Sequence, residues 1–218
     1  LAEWLASDRL VRRFVGAVVS VAAGTSPRDE LEFLGPEGEF EVRRPRVDGD
    51  GAAAEGEPAR GESVAGDASG AAGRPTVIDP ASYERYDPVA ATVASLDTEG
   101  TAEIYRRLRP LFQEAYRELG FSEGSFDGTL ARAVENLLAV PVPGGPVEVV
   151  PAAEGTDWAY RYPDLEGLSP AQKHLLRMGP ENVRRVQAKL RELVRALELP
   201  LVEPRGGGGS AAGPGTPP

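Results

Sequence analysis

Two consecutive helices are predicted by the stretch Ser169-Pro-Ala-Gln-Lys-His-Leu-Leu-Arg-Met-Gly-Pro-Glu-Asn182 and the residues that follow it. Ser169 and Gln172 have the spacing of a capping box, and Pro170 takes the first helical position, where proline is favoured. Gly179 is a suitable end for the first helix, and Pro180 opens the second. The second helix carries apolar residues at a 3-4-3-4 spacing: Val183, Val186, Leu190, Leu193 and Leu197. This pattern predicts a sharp corner at Met178-Gly-Pro180 between two helices.

The residues before this corner predict further helices. Asp79 is a suitable N-cap for a helix that Pro88 interrupts or kinks. A longer helix spans about residues 97–120, and we expect Pro110 to bend it because the proline ring crowds the preceding turn. Another helix spans about residues 127–140.

The N-terminal region predicts an amphipathic helix. One face of it is apolar: Leu10, Val11, Phe14, Val15, Val18, Val19 and Ala22. The basic residues before this run also resemble the start of a secretory signal, but such a signal needs no apolar face. The run is too short to span a bilayer, which takes about 20 apolar residues. We therefore expect this helix to pack against the helices that follow residue 76.

Two alternating stretches, Val147-Glu-Val-Val150 and Trp158-Ala-Tyr-Arg-Tyr162, predict an antiparallel β-hairpin, and residues 40–42 are a further candidate for extended structure. The predicted fold class is therefore mainly α (α+β), with about five to six helices and one small hairpin. We expect residues 1–46 and 76–199 to form one folded helical domain. Residues 47–75 are predicted to be a disordered Gly/Ala/acidic insertion, and residues 200–218 a flexible Gly/Pro tail.

Composition excludes several functions. The 218 residues carry a net charge of −10, which opposes binding to nucleic acid. There is no cysteine, so thiolate catalysis, disulfides and cysteine metal sites are excluded. His174 is the only histidine, which excludes a multi-histidine metal cage. We predict no catalytic residue, metal ligand or cofactor.

The corner at Gly179 is the predicted site. Arg177, Glu181 and Asn182 flank it, and the start of the last helix could receive an anion or carboxylate. Three further residues could contribute a wall: Arg109, Tyr83 and Tyr86. The alternative is that these residues cap the helices and bridge them.

Other candidate chemistry is weaker. His174 could act as a base only with an orienting carboxylate and a cleft, so we interpret it as a surface or half-buried histidine. Asp164 and Glu166 could in principle perform acid–base hydrolysis if they faced each other across a substrate.

Three blocks resemble an uncharacterised bacterial domain family: residues 82–88, residues 105–116 and the block Gln172-Lys-His-Leu-Leu-Arg-Met-Gly-Pro-Glu-Asn182. The resemblance covers about residues 4–197. Its members typically carry an N-terminal transmembrane helix, a Pro-rich spacer and this domain outside the cytoplasmic membrane, which implies the periplasmic side of a cell envelope. The sequence departs from that pattern in lacking the membrane segment, and in its insertion at 47–75. The family offers no catalytic residues to carry over.

The first functional hypothesis is a non-catalytic protein-interaction or scaffold module of the bacterial envelope. Its partner would be an unidentified protein or envelope component, and it would meet the membrane only through an anchor absent from this chain. The alternatives are a carboxylate-dependent hydrolase of an envelope glycan and a small-molecule sensor, which would need an apolar pocket.

Overall fold

The computed structural model describes residues 2–30, 39–47, 53–54, 75–152 and 157–201. Eight helices lie within these residues: α1 (Ala2–Ala22), α2 (Pro80–Glu84), α3 (Asp87–Ala94), α4 (Thr98–Glu118), α5 (Phe126–Leu138), α6 (Pro163–Glu166), α7 (Pro170–Leu176) and α8 (Gly179–Leu197). Six strands accompany them: β1 (Val42–Arg43), β2 (Arg46–Val47), β3 (Ala53–Ala54), β4 (Thr76–Ile78), β5 (Glu148–Pro151) and β6 (Trp158–Tyr160). The mainly helical α+β class is thus confirmed. Residues 48–52 and 55–74 of the predicted insertion, and residues 202–218 of the predicted tail, lie outside the described residues.

The two stretches predicted as a hairpin do pair, as β5 and β6, but they belong to a larger four-stranded antiparallel sheet with the order β1-β4-β5-β6. Val42 pairs with Ile78, and Val149 pairs with Tyr160, so these side chains point to the face that packs on the helices. Two strands alone are only marginally stable, and β4 and β1 complete the sheet from distant parts of the chain. No local pattern in the sequence could show that pairing. Strands β2 and β3 form a separate two-stranded ribbon.

The predicted count of five to six helices is also too low. Asp79 accepts a hydrogen bond from the Ala81 amide (2.9 Å) and starts α2, as expected. Pro88 does not kink one long helix but occupies the first turn of a new helix, α3. The first N–H groups of a helix have no partner within it, so the N–H that proline lacks costs no hydrogen bond there. The short helix α6, which begins at Pro163, is the other addition. Helix α4 runs through Pro110 without interruption.

Helix α1 packs with α4 and α5 around one of two apolar clusters. Val15 is fully buried there, beside the rings of Phe112 and Phe126. Asn136 of α5 donates its Nδ2 to the carbonyls of Val21 (2.9 Å) and Ala22 (3.2 Å), which caps the C-terminal end of α1.

The other apolar cluster lies between the sheet and helices α3, α7 and α8. Ala90, Leu175, Met178 and Val183 are buried in it. Leu137 of α5 packs against both clusters, so the two are continuous.

Gly179 packs so closely against Tyr83 that the corner has no space for a side chain. Its φ of +81° lies in the left-handed region, which side chains other than glycine's rarely adopt. A Cβ placed on Gly179 would lie 2.5 Å from Cγ of Tyr83, closer than any real contact allows. Both the backbone and the space therefore require glycine at the corner between α7 and α8.

Gly179→Ala is predicted to destabilise the fold more than Gly120→Ala. Gly120 also has a positive φ (+96°), but a Cβ there would meet nothing within 4 Å. Gly120→Ala is the control, and it should lower the free energy of unfolding by about 1–2 kcal/mol, because alanine is unfavourable at a positive φ. The clash with Tyr83 should add ~1–3 kcal/mol at Gly179. Urea unfolding measures both, and equal losses would show that the Tyr83 contact is unimportant.

Candidate functional site

Asn182 ties the start of α8 to the helices on the other side of the corner. Its side chain is 2% exposed. Its Nδ2 lies within hydrogen-bonding distance of Asp87 Oδ1 (2.8 Å) and of the carbonyls of Met178 (3.0 Å) and Tyr83 (3.3 Å). Every one of these acceptors belongs to the corner itself or to α2 and α3, so the amide group of Asn182 faces inward.

The two predicted tyrosines also lie at the corner, and both are packed into it. Tyr86 is buried in the apolar cluster, with the guanidinium carbon of Arg85 5.5 Å from the centre of its ring. Burial raises the pKa of Tyr83 well above its usual range, and Tyr160 adds to this shift. The Tyr83 hydroxyl is buried and has no hydrogen-bond partner within the described residues. Tyr83 therefore stays protonated and acts as a packing group.

Glu181 is exposed and pairs along its own helix, with Arg185 (3.3 Å) and Arg184 (3.6 Å). Such pairs between neighbouring turns of an exposed helix face contribute little stability. Glu181 thus lies near the corner. Among the described residues, it forms no hydrogen bond with Asn182.

Arg109 is far from the corner. It forms an ion pair with Asp127 at the start of α5, and Asp127 also accepts a hydrogen bond from the Tyr105 hydroxyl (2.6 Å). One turn earlier in α4, Arg106 donates to the carbonyl of Ala196 (2.9 Å). Ala196 and Gly179 lie near opposite ends of α8, roughly 26 Å apart at ~1.5 Å per residue, so this part of α4 contacts the end of α8 that is far from the corner. The structure therefore does not bring Arg109 to the wall proposed from the sequence.

The side chain of Arg177 is exposed to solvent, whereas that of Asn182 is buried in the corner. Arg177 lies immediately after α7. Burial raises the pKa of Tyr160 to about 12, and Arg177 opposes this shift. Arg177 also lines a cleft.

This cleft has a volume of about 400 Å³ and lies between α7 and the turn after α1. Seven of the described residues line it: Ser26, Arg28, Asp29, Pro170, Lys173, His174 and Arg177. The turn is held against α7 because the Ala171 amide donates to the carbonyl of Gly24 (3.1 Å). Gly24 has a φ of +78°, and a Cβ there would come within 3.2 Å of Ser169 Cβ. The chain after α1 is thereby directed along α7, which brings Arg28 to the cleft.

The cleft is electropositive around a half-buried His174. Burial lowers the pKa of His174, and Arg177 and Arg28 lower it further, because all three disfavour an added positive charge. Lys173 is paired with Glu166 (2.5 Å), which lowers the pKa of that carboxyl. An uncharged imidazole between two guanidinium groups is suited to receive an anion.

Sequence reasoning missed this site. It interpreted His174 as a surface or half-buried residue, and the half-buried position is what the structure shows, but its charged neighbours were not connected to it. One local signal was present, since His174 and Arg177 are three residues apart and such residues share a helix face. Arg28 gave no signal, because it reaches the cleft only through the fold of the chain after α1.

Of the two carboxylates weighed for hydrolysis, Glu166 does not have the environment of a general acid. Glu166 accepts hydrogen bonds from the Tyr160 amide (2.8 Å) and from Lys173, and its pKa is lowered. A general acid of a glycosidase needs a raised pKa instead. In the part of the chain that the structure describes, no three or more of the His, Asp and Glu side chains come together as a metal site would need.

The chain therefore has a mainly helical α+β fold that carries a cleft lined by cationic side chains. The chain belongs to the family described as protein of unknown function (DUF3014), whose model matches residues 10–194. The resemblance to an uncharacterised family is thus confirmed. Searches of the curated proteins and of the solved structures gave no match. Among the described residues, no helix has the length and apolar character that crossing a membrane requires.

Asn182→Ala and Arg177→Ala are predicted to have different effects on stability, because Asn182 is buried and hydrogen-bonded at the corner whereas Arg177 is exposed in the cleft. Loss of the buried amide leaves several acceptors without their donor, so the free energy of unfolding should fall by about 1–3 kcal/mol. Arg177→Ala removes an exposed side chain and should change it by only ~0.5 kcal/mol. Asn182→Asp is a sharper variant, because it places a second carboxylate beside Asp87 and should destabilise more than alanine does. Urea unfolding of the three variants would contradict this assignment if Asn182→Ala were neutral.

Proposed function

We propose that the chain is a non-catalytic binding module of the bacterial cell envelope that holds an acidic segment of a partner protein in the cationic cleft. The cleft is the binding surface in this proposal, and the Gly179 corner is its support. The envelope location follows from the family resemblance in the sequence.

The observation that carries the proposal is the state of the two arginines in the cleft. Within the described part of the chain, neither Arg28 nor Arg177 forms an ion pair. Other surface arginines do so, as in the pairs Arg12–Glu118 (3.0 Å) and Arg161–Glu148 (3.3 Å). A partner carboxylate in the cleft would supply the two arginines with the counter-charge that the described residues do not.

The net charge of −10 repels an acidic partner at long range. At physiological ionic strength, charges more than about 8 Å apart are largely screened. Attraction in the cleft is therefore local, and we expect binding to weaken as salt is added.

The other two functions are less well supported. A carboxylate hydrolase is disfavoured by the ion-paired state of Glu166. A small-molecule sensor would need a pocket with only a few polar groups, whereas the described residues that line this cleft include three cationic side chains, Arg28, Lys173 and Arg177.

Affinity capture from an envelope extract of the source bacterium tests the proposal, with the full chain as bait. The wild type and the double variant Arg28→Ala/Arg177→Ala are compared, with Arg107→Ala as a matched control. Arg107 is an exposed arginine of α4 that pairs with Glu103 on its own helix, outside the cleft. A protein retained by the wild type and the control, but lost from the double variant, is the expected result. A partner retained equally by all three would overturn the cleft as the binding surface.

A further inference from the structure

His174 lies in the cleft between cations that come from two separate parts of the chain. Arg177 follows it by three residues, so both lie on one side of α7. Arg28 approaches from the turn after α1. Both arginines line the same cleft as the imidazole, and both lower the pKa of His174.

We propose, on the basis of the proposed function, that the cleft binds an oxyanion together with a proton, which His174 takes up as the anion enters between Arg28 and Arg177. The chemical class of the ligand group is a carboxylate or a phosphate. No covalent step is involved.

The remaining charged groups around His174 are compatible with this coupling. Lys173 precedes it in α7 and is paired with Glu166 of α6, so that pair is close to neutral. Asp29 lines the cleft beside Arg28, but it is exposed and is not among the groups that act on His174. On the sheet side, Arg177 lowers the pKa of Tyr160, which is uncharged at neutral pH. Among the described residues, Arg28 and Arg177 are the charged groups that shift the pKa of His174.

The direction of the coupling follows from these two positive charges. The two arginines disfavour the charged imidazolium, so the empty cleft keeps His174 neutral to a lower pH than usual. A bound anion offsets the arginines, which raises the proton affinity of His174. Because linkage is reciprocal, protonation of His174 must raise the affinity for the anion by the same factor. Anion binding therefore strengthens as the pH falls.

The sequence makes this measurable, because His174 is the only histidine and gives one imidazole signal in an NMR titration. The full chain is titrated over about pH 5–8, the range in which histidine changes charge. One series contains sodium chloride and the other contains sodium sulfate at equal ionic strength. Sulfate keeps its charge throughout this range, so any proton taken up belongs to the protein.

We expect the midpoint of His174 to lie below 6.5 in chloride and to move upward in sulfate. The sulfate affinity should rise roughly fivefold or more between the ends of the titration, the low end of a typical coupling between two sites. An identical midpoint in both salts would overturn the proposal.

Three variants test the assignment of residues. Arg28→Gln and Arg177→Gln should each raise the midpoint of His174 in chloride and reduce its response to sulfate, whereas Arg107→Ala should change neither. His174→Gln should leave a sulfate affinity that no longer depends on pH. A response to sulfate that persists in Arg28→Gln/Arg177→Gln would place the anion elsewhere and overturn the proposal. Acetate and methyl phosphate in place of sulfate then distinguish a carboxylate ligand from a phosphate ester.

The NMR titration and the partner capture test different claims, so their results can be told apart. If sulfate does not shift His174 but capture still depends on Arg28 and Arg177, the proposed function stands and the proton coupling is wrong. If sulfate shifts His174 but capture is unaffected by the arginines, the anion site stands and the proposed function is wrong.

Discussion

The contact between the backbone of Gly179 and the ring of Tyr83 fixes how the second half of the chain sits on the first. It leaves no space for a Cβ at the corner, and the hydrogen bonds of Asn182 lie directly beside it. Helix α2 follows directly from strand β4, while α7 and α8 follow the sheet. A small loss of fit at this point therefore affects the sheet, three helices and one apolar cluster together, because tightly packed interiors transmit strain.

The same corner determines where the cleft can form. It ends α7 immediately before Arg177, and the other end of α7 is held by its capping box and by the hydrogen bond from the Ala171 amide to the Gly24 carbonyl. With both ends fixed, His174 and Arg177 are presented on one side of a short helix to the turn that carries Arg28. The buried residues of the corner thus position the exposed residues of the cleft, and the two groups need not share a function.

Local features of the fold could be predicted from the sequence, whereas pairings between distant segments could not. The capping box at Ser169 and Gln172, the glycine stop and the proline start of α8 are all found, because each depends on residues within a few positions of one another. The pairing of β1 with β4, the placement of Arg28 beside His174 and the distance of Arg109 from the corner depend on long-range packing. Tyr83 and Asn182 were predicted to lie together, and they do, but with their polar groups turned inward.

Native-state hydrogen exchange of the full chain tests most directly whether the corner is the point on which the fold depends. Met178 donates its amide to Leu175 (3.0 Å), and Val183 is fully buried in the first turns of α8. If the Gly179–Tyr83 contact holds the two halves together, these two amides should exchange only through global unfolding, with the same free energy as the most protected amides of α5. Exchange of Met178 and Val183 through a local opening of much lower free energy, with the rest of the cluster still protected, would contradict the account.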